Sequence, residues 1–272
     1  MRWKEVIKMA RTNNITNFLT DVATAIRTKG NTSSQIPASE FDTAIANLPG
    51  ADIDWTAIGY SGTPSIVTDG YAYAQQIYDN WNPSTTDISG KYRDNRYVVF
   101  FPLVDTSNVT TLSSTFFGSY NLIYVPPLNL GKVTNMNRAF AYDSALAEIP
   151  DLNISSCTTL MYTFQNCYSL KKIGQLQTGN VTDFYYTFQS CNALTDFPVL
   201  DMHSATSVDG MLYDCTNLTD ESLDNVLQSL ASATSYTGTK TLSVICLWGY
   251  NDARIQACPH YQDFVNAGWS IR

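Results

Sequence analysis

Apolar residues recur in this chain every 24 positions, and that period restricts the fold more than any other feature of the sequence. One row is Phe116, Phe140, Phe164, Phe188 and Leu212; a second is Leu122, Leu146, Leu170, Leu194 and Leu218. Three more keep step: Val125, Ile149, Ile173 and Phe197; Leu128, Leu152, Leu176 and Leu200; and Leu112, Met136, Leu160, Phe184 and Val208. Ile88, Tyr92, Val98, Phe101 and Val104 carry these rows back one period, with Pro102 in line with Pro126, Pro150 and Pro198. Leu242 falls one period after Leu218 and opens the segment Leu242-Ser-Val-Ile245-Cys-Leu247, which predicts a last strand.

A unit of this length cannot bury its apolar side chains alone, so successive units must stack and share one elongated core. The spacing predicts an α/β solenoid, a leucine-rich-repeat array over residues 84–247. In this reading Leu-x-x-Ile segments form a parallel sheet, Phe-containing turns fill the opposite side, and Pro sits where pairing ends. Asp220 and Glu221 followed by Leu223, Val226, Leu227 and Leu230 predict a helix in place of one turn. Residues 1–50 read as a separate module of two short helices, with Phe18, Val22 and Ile26 on the first apolar face and Phe41 and Ile45 on the second. Residues 51–83 read as an aromatic cap with Tyr71, Tyr73, Ile77 and Tyr78 on one helix, and residues 248–272 as a C-terminal cap.

Composition narrows the partners. Hydrophobic residues make up 44% and charged residues 15%, which is the balance of a folding chain rather than a disordered one. A net charge of −8 opposes a phosphate backbone, so no nucleic-acid partner is expected. The first fifty residues hold six Lys and Arg against four Asp and Glu, whereas the rest hold ten against twenty. No apolar run approaches the roughly 18 residues of a membrane span. Met1–Lys8 leads into a polar stretch rather than a signal-peptide core, so neither export nor anchoring is expected, and Met9 is a second candidate start.

The repeat residues resemble the BspA-type leucine-rich-repeat family. The likeness is carried by Asp105-Thr-Ser-Asn-Val-Thr-Thr-Leu112, Lys132-Val-Thr-Asn-Met136 and Phe188-Gln-Ser-Cys191-Asn-Ala-Leu194, and covers residues 84–247. Members of that family are mostly surface adhesins and uncharacterised proteins, so the resemblance implies binding rather than chemistry. The flanks resemble something else. Asn17–Arg27 with Ile36–Ile45 is similar to a helical module at the start of bacteriophage and prophage tail or virion proteins, and Gln256–Trp269 is similar to the end of phage-encoded repeat proteins. These likenesses imply a virion component that meets other virion proteins, or further copies of itself, through residues 1–50. A head or tail decoration and a bacterial surface adhesin stand as alternatives.

Residues able to carry chemistry are scattered. Cys167, Cys191 and Cys215 lie one period apart and read as a ladder of buried, reduced thiols. There is no C-x-x-C pair, and His203 and His260 are far apart, so no metal is expected. Cys258 and His260 are too close in sequence for a nucleophile and its base, and Asp52 and Asp54 lack the further ligands of a calcium loop. Thr110, Thr134, Thr158, Thr182 and Thr206 form a ladder whose hydroxyls are expected to bond within their own repeat. The reading is of a protein that is not an enzyme and uses no cofactor.

What remains is surface. Tyr124, Glu148, Lys171, Lys172 and Asp196 lie between inward strand positions and vary while the core rows do not. With the turn tyrosines Tyr120, Tyr142, Tyr162, Tyr168, Tyr185 and Tyr186 they are the candidate contact residues for a host-surface glycan or protein.

Overall fold

The computed structural model describes residues 64–242 and 252–271. The chain divides into a unit Met1–Thr68 and a unit Asp69–Arg272. The first lies almost wholly outside the described residues, and with it the five module residues Phe18, Val22, Ile26, Phe41 and Ile45; Ile245 and Leu247 also lie outside. The described elements are α1 (Pro64–Asp79), β1 (Glu148–Ile149), β2 (Lys172–Ile173), α2 (Asp220–Ala231), β3 (Thr241–Leu242), α3 (Asp252–Gln256), α4 (Tyr261–Asn266) and β4 (Ser270–Ile271).

The expected α/β leucine-rich-repeat solenoid is corrected by this inventory. Among the described residues the only sheets are two parallel pairs of two-residue strands, β1 with β2 and β3 with β4, and no helix lies between Asp79 and Asp220. Elsewhere the 24-residue offset joins single residues: Asp87, Thr111, Asn135, Thr159, Asp183 and Ser207 bridge in series, as do Phe100 with Tyr124 and Lys172 with Asp196. Leu242 pairs with Ile271 rather than with a residue one period away.

Two causes prevent a continuous sheet. Pro102, Pro126, Pro150 and Pro198 each follow the inward residue of the bridge row and supply no N–H to extend pairing. The other side of each repeat is a run of overlapping turns that needs left-handed backbone twice, at Ser114 and Gly118, at Arg138 and Tyr142, at Tyr162 and Asn166, and at Tyr186 and Ser190. Within that run Leu112, Ser114, Phe116 and Gly118 donate their N–H groups to the next repeat, at Asn135, Asn137, Ala139 and Ala141. The intervening Thr115, Phe117 and Ser119 donate three residues back, to Leu112, Ser114 and Phe116. The backbone is thus satisfied by turns and a forward ladder together, without strands.

The apolar rows line one core. Phe116, Phe140, Phe164 and Phe188 are wholly buried, and their rings stack at 5.2, 5.5 and 5.3 Å with interplanar angles of 12°, 6° and 8°. Tyr92 adds a ring 5.5 Å from Phe116, and Phe101 and Phe197 close the two ends edge-on. The threonine ladder is also corrected. The hydroxyl and the N–H of Thr134 both reach the carbonyl of Thr110 in the preceding repeat, and Thr158, Thr182 and Thr206 do likewise.

The last repeat is closed by α2, whose Thr219 N-cap accepts the Ser222 N–H. Leu223, Val226, Leu227 and Leu230 face the core. Serine hydroxyls on this helix and at its C-cap replace the carbonyls of a missing next repeat: Ser222, Ser229 and the C-cap Ser232 accept from Phe197, Leu200 and Met202 at 2.9, 2.8 and 2.9 Å. An edge that would otherwise offer unpaired donors is covered. Beyond it α4 packs on α2, and Trp269 is buried between the rings of Tyr236 and Phe264. At the first repeat, Ile77 of α1 joins the core, Tyr73 accepts a hydrogen bond from Asn95 at 2.8 Å, and Trp81 donates to the Asp105 carbonyl at 2.7 Å.

The α2–α4 junction should respond to pH through His260. His260 meets Asp224 twice, through Nδ1 to Oδ2 at 2.6 Å and through its N–H to Oδ1 at 2.8 Å. The Asp224 carboxylate raises the imidazole above its ordinary 6.5. Its folded value exceeds its unfolded one, so the stabilisation is complete below 6.5 and is lost as pH rises through the folded value. The His260 imidazole resonance should therefore titrate above 6.5 and return toward it in Asp224→Asn; equal midpoints in the two proteins would refute the pairing.

Candidate functional site

The left-handed turn positions form two rows, and the residues that fill them are unequal. One row runs Gly90, Ser114, Arg138, Tyr162, Tyr186 and Gly210; the other runs Asp94, Gly118, Tyr142, Asn166, Ser190 and Asp214. Glycine meets no steric penalty there, and Asn and Asp tolerate the conformation, but a residue with a bulky side chain costs about 1–2 kcal/mol. Arg138, Tyr142, Tyr162 and Tyr186 are therefore disfavoured locally, and all four lie in three consecutive repeats.

These side chains form two contact groups, a strip from Arg138 to Tyr213 and a smaller group at Tyr142. The Arg138 guanidinium lies 4.5 Å from the Tyr162 ring centroid, and Tyr186 stacks on Tyr162 at 5.8 Å and 19°. Tyr162 is thus contacted from the repeat before and from the repeat after. Tyr185 sits edge-on to Tyr162 at 5.4 Å and to Tyr186 at 4.5 Å, and Tyr213 continues the strip at 6.4 Å from Tyr186. Phe117 meets Tyr142 at 5.3 Å and carries Arg93 over its ring at 4.4 Å. Tyr142 and Tyr213 are exposed, whereas Tyr162, Tyr185 and Tyr186 are half-buried. Such a surface holds large, rigid groups at fixed positions while leaving phenol edges available to a partner.

Of the residues singled out from sequence, Tyr162, Tyr185 and Tyr186 belong to this strip, and Tyr142 meets Phe117 in the smaller group. Tyr124, Glu148, Lys172 and Asp196 belong to another row, in which Glu148 pairs with Lys172 and Lys172 with Asp196, so that charges of alternating sign adjoin. Tyr124 is half-buried and its phenol is raised by burial first and by Glu148 second, whereas Lys171, Lys172 and Asp196 are exposed. Tyr168 is half exposed and shares a row with Tyr120. Arg138, Phe117 and Tyr213 were not among the expected residues. Arg138 was discoverable, because it precedes Tyr162 and Tyr186 in one row of the 24-residue period.

The remaining polar groups are committed to the fold. Cys167, Cys191 and Cys215 are buried thiols, and burial raises the first two well above the ordinary thiol range. The Cys258 thiol, also raised by burial, contacts the Arg254 carbonyl, and His260 is held between Asp224 and the Gln228 amide. An open cleft of about 670 Å³ beside α2 is lined by Gln175, Asn180 and Gln228. Its amides bond to Val199 O, to Ser155 O and to the His260 ring. Among the described residues no three His, Cys, Asp or Glu side chains converge on one point, and no helix is long and apolar enough to cross a membrane. Asp52 and Asp54 lie outside the described residues.

A family model described as "Mycoplasma protein of unknown function, DUF285" matches residues 86–195 and 119–226, which together take in just over half of the chain. No curated protein and no solved structure matches the chain.

Proposed function

We propose that this chain, which belongs to the family of Mycoplasma proteins of unknown function, DUF285, is a non-catalytic binding protein of a phage or prophage virion. Its repeats recognise a host-surface molecule, and residues 1–50 attach it to other virion proteins. The virion assignment rests on the resemblance of the two flanks; the recognition assignment rests on the tyrosine–arginine strip. Placing Arg138, Tyr142, Tyr162 and Tyr186 in left-handed backbone costs stability that glycine or asparagine would not. A contact surface is the reading that accounts for keeping them.

Between a glycan and a protein, the strip favours a protein. A sugar stacks on an open ring face, but Arg138 and Tyr186 both pack against the Tyr162 ring. Edges and hydroxyls are what a protein partner would meet.

The test uses the full chain and cells of candidate bacterial hosts. Saturable binding that is abolished by protease treatment of the cells, and lowered at least about tenfold by Tyr142→Gly or Tyr186→Gly, is the expected result; about tenfold corresponds to ~1.4 kcal/mol. Glycine relieves the left-handed backbone at both positions, and a thermal melt of each variant separates lost binding from lost folding. Absence of saturable binding at high micromolar protein would sink recognition, and binding insensitive to both substitutions would remove the strip from it.

A further inference from the structure

The row Ser119, Asp143, Cys167, Cys191 and Cys215 performs one repeated task. Each of four members donates to the carbonyl 27 residues earlier: Ser119 Oγ to Tyr92 at 2.7 Å, Cys167 Sγ to Phe140 at 3.0 Å, Cys191 Sγ to Phe164 at 3.2 Å and Cys215 Sγ to Phe188 at 3.1 Å. Members also accept an N–H from the row residue before them. Ser119 N–H reaches Asp143 Oδ1 at 2.8 Å, Asp143 N–H reaches the Cys167 thiol, and Cys167 N–H reaches the Cys191 thiol. A side chain here must therefore both accept and donate. Hydroxyls and thiols do both, whereas an ionised carboxylate only accepts.

Asp143 is fully buried, its Oδ1 is taken by Ser119, and its Oδ2 has no partner. The carbonyl 27 residues before it, by the register of the other four, is that of Phe116. We propose that Asp143 is a neutral carboxylic acid in the folded protein, its Oδ2–H donating to the Phe116 carbonyl, and that this proton locks the Phe116 repeat to the Phe140 repeat in a pH-dependent way. The surroundings agree. Burial pushes the carboxyl well above its ordinary range against the pull of the Ser119 amide, and no cation among the described residues offsets it. The group facing it from the following repeat is the buried Cys167 thiol; the preceding repeat offers the Ser119 hydroxyl and N–H, and its chain neighbours are Tyr142 and Ser144.

The sign follows from the direction of the shift. The folded acid holds its proton more tightly than the unfolded one, so the lock is complete below the unfolded value of 3.8 and is lost as pH rises toward the folded value. In that window the folding constant should fall about tenfold per pH unit relative to a variant that cannot ionise there. Asp143→Asn keeps an acceptor and a donor, and Asp143→Cys copies the next three members of the row.

Denaturation from about pH 4 to 8 of the full chain and of both variants reads this ratio. A ratio that declines with pH supports the lock, and one flat across the range overturns it. The carboxyl carbon resonance of Asp143, identified by its loss in either variant or by sequential assignment of the parent should neither fold, gives a second reading. A resonance still in the acid form after the exposed aspartates have ionised supports the proposal, and titration alongside them refutes it.

Discussion

Phe164→Ala should lower the unfolding free energy by roughly 3–5 kcal/mol, the range for truncating a fully buried aromatic. Phe164 is wholly buried with a ring on each face, Phe140 at 5.5 Å and Phe188 at 5.3 Å. Each such ring pair contributes about 0.5–1.5 kcal/mol beyond burial. The void is poorly able to collapse, because the spacing of the flanking repeats is held by backbone bonds from Phe140 N to Thr163 O and from Phe164 N to Thr187 O, at 2.9 and 2.8 Å. The upper part of the range is therefore expected. Phe164→Leu should cost less, since Leu212 already occupies this row in the last repeat. Urea unfolding of both variants checks the order, and a Phe164→Ala midpoint equal to the parent's would contradict the stack.

Damage at that point should spread along the chain. Each repeat is bonded to its neighbours, so removing the central ring weakens two interfaces at once. The same nearest-neighbour logic explains why the core was legible in the sequence. Burial forces apolar residues back at a fixed interval, and the rows headed by Leu112, Phe116 and Leu122 are all found inside.

The backbone between those rows was not legible. The Leu-x-x-Ile spacing is shared by any stacked repeat with two inward residues three apart, and does not reveal how the intervening N–H groups are satisfied. Left-handed residues go unseen when Arg138, Tyr162 and Tyr186 occupy them, because only glycine advertises that conformation. The serines of α2 were equally silent. Ser222, Ser229 and Ser232 look like ordinary polar positions on an amphipathic helix, and become edge-covering acceptors only once Phe197, Leu200 and Met202 are placed beside them. Of the candidate contact residues, the tyrosines were visible as unexplained aromatics at turns. Their partners were not, since contacts between repeats appear in a sequence only when it is laid out at the period.

Gly174→Pro should be among the most damaging single changes in the chain, although the sequence pattern alone would recommend it. Pro102, Pro126, Pro150 and Pro198 hold the equivalent position in the other repeats, so replacing the exception by the common residue resembles a stabilising consensus change. The surroundings reverse the sign. A Cβ at Gly174 would lie 2.4 Å from Asp151 N and 2.5 Å from Pro150 C, which are main-chain atoms that no rotamer change can move. The Gly174 N–H also donates to the Ile149 carbonyl at 2.8 Å, a bond that proline removes. Gly174→Ala should cost about 1–3 kcal/mol through overpacking, and Gly174→Pro should add the ~1–3 kcal/mol of a buried polar group left unpaired. Thermal unfolding of the two variants should rank parent above alanine above proline. A proline variant that melts at or above the parent would mean that the Pro150 and Gly174 repeats do not approach as closely as these distances require.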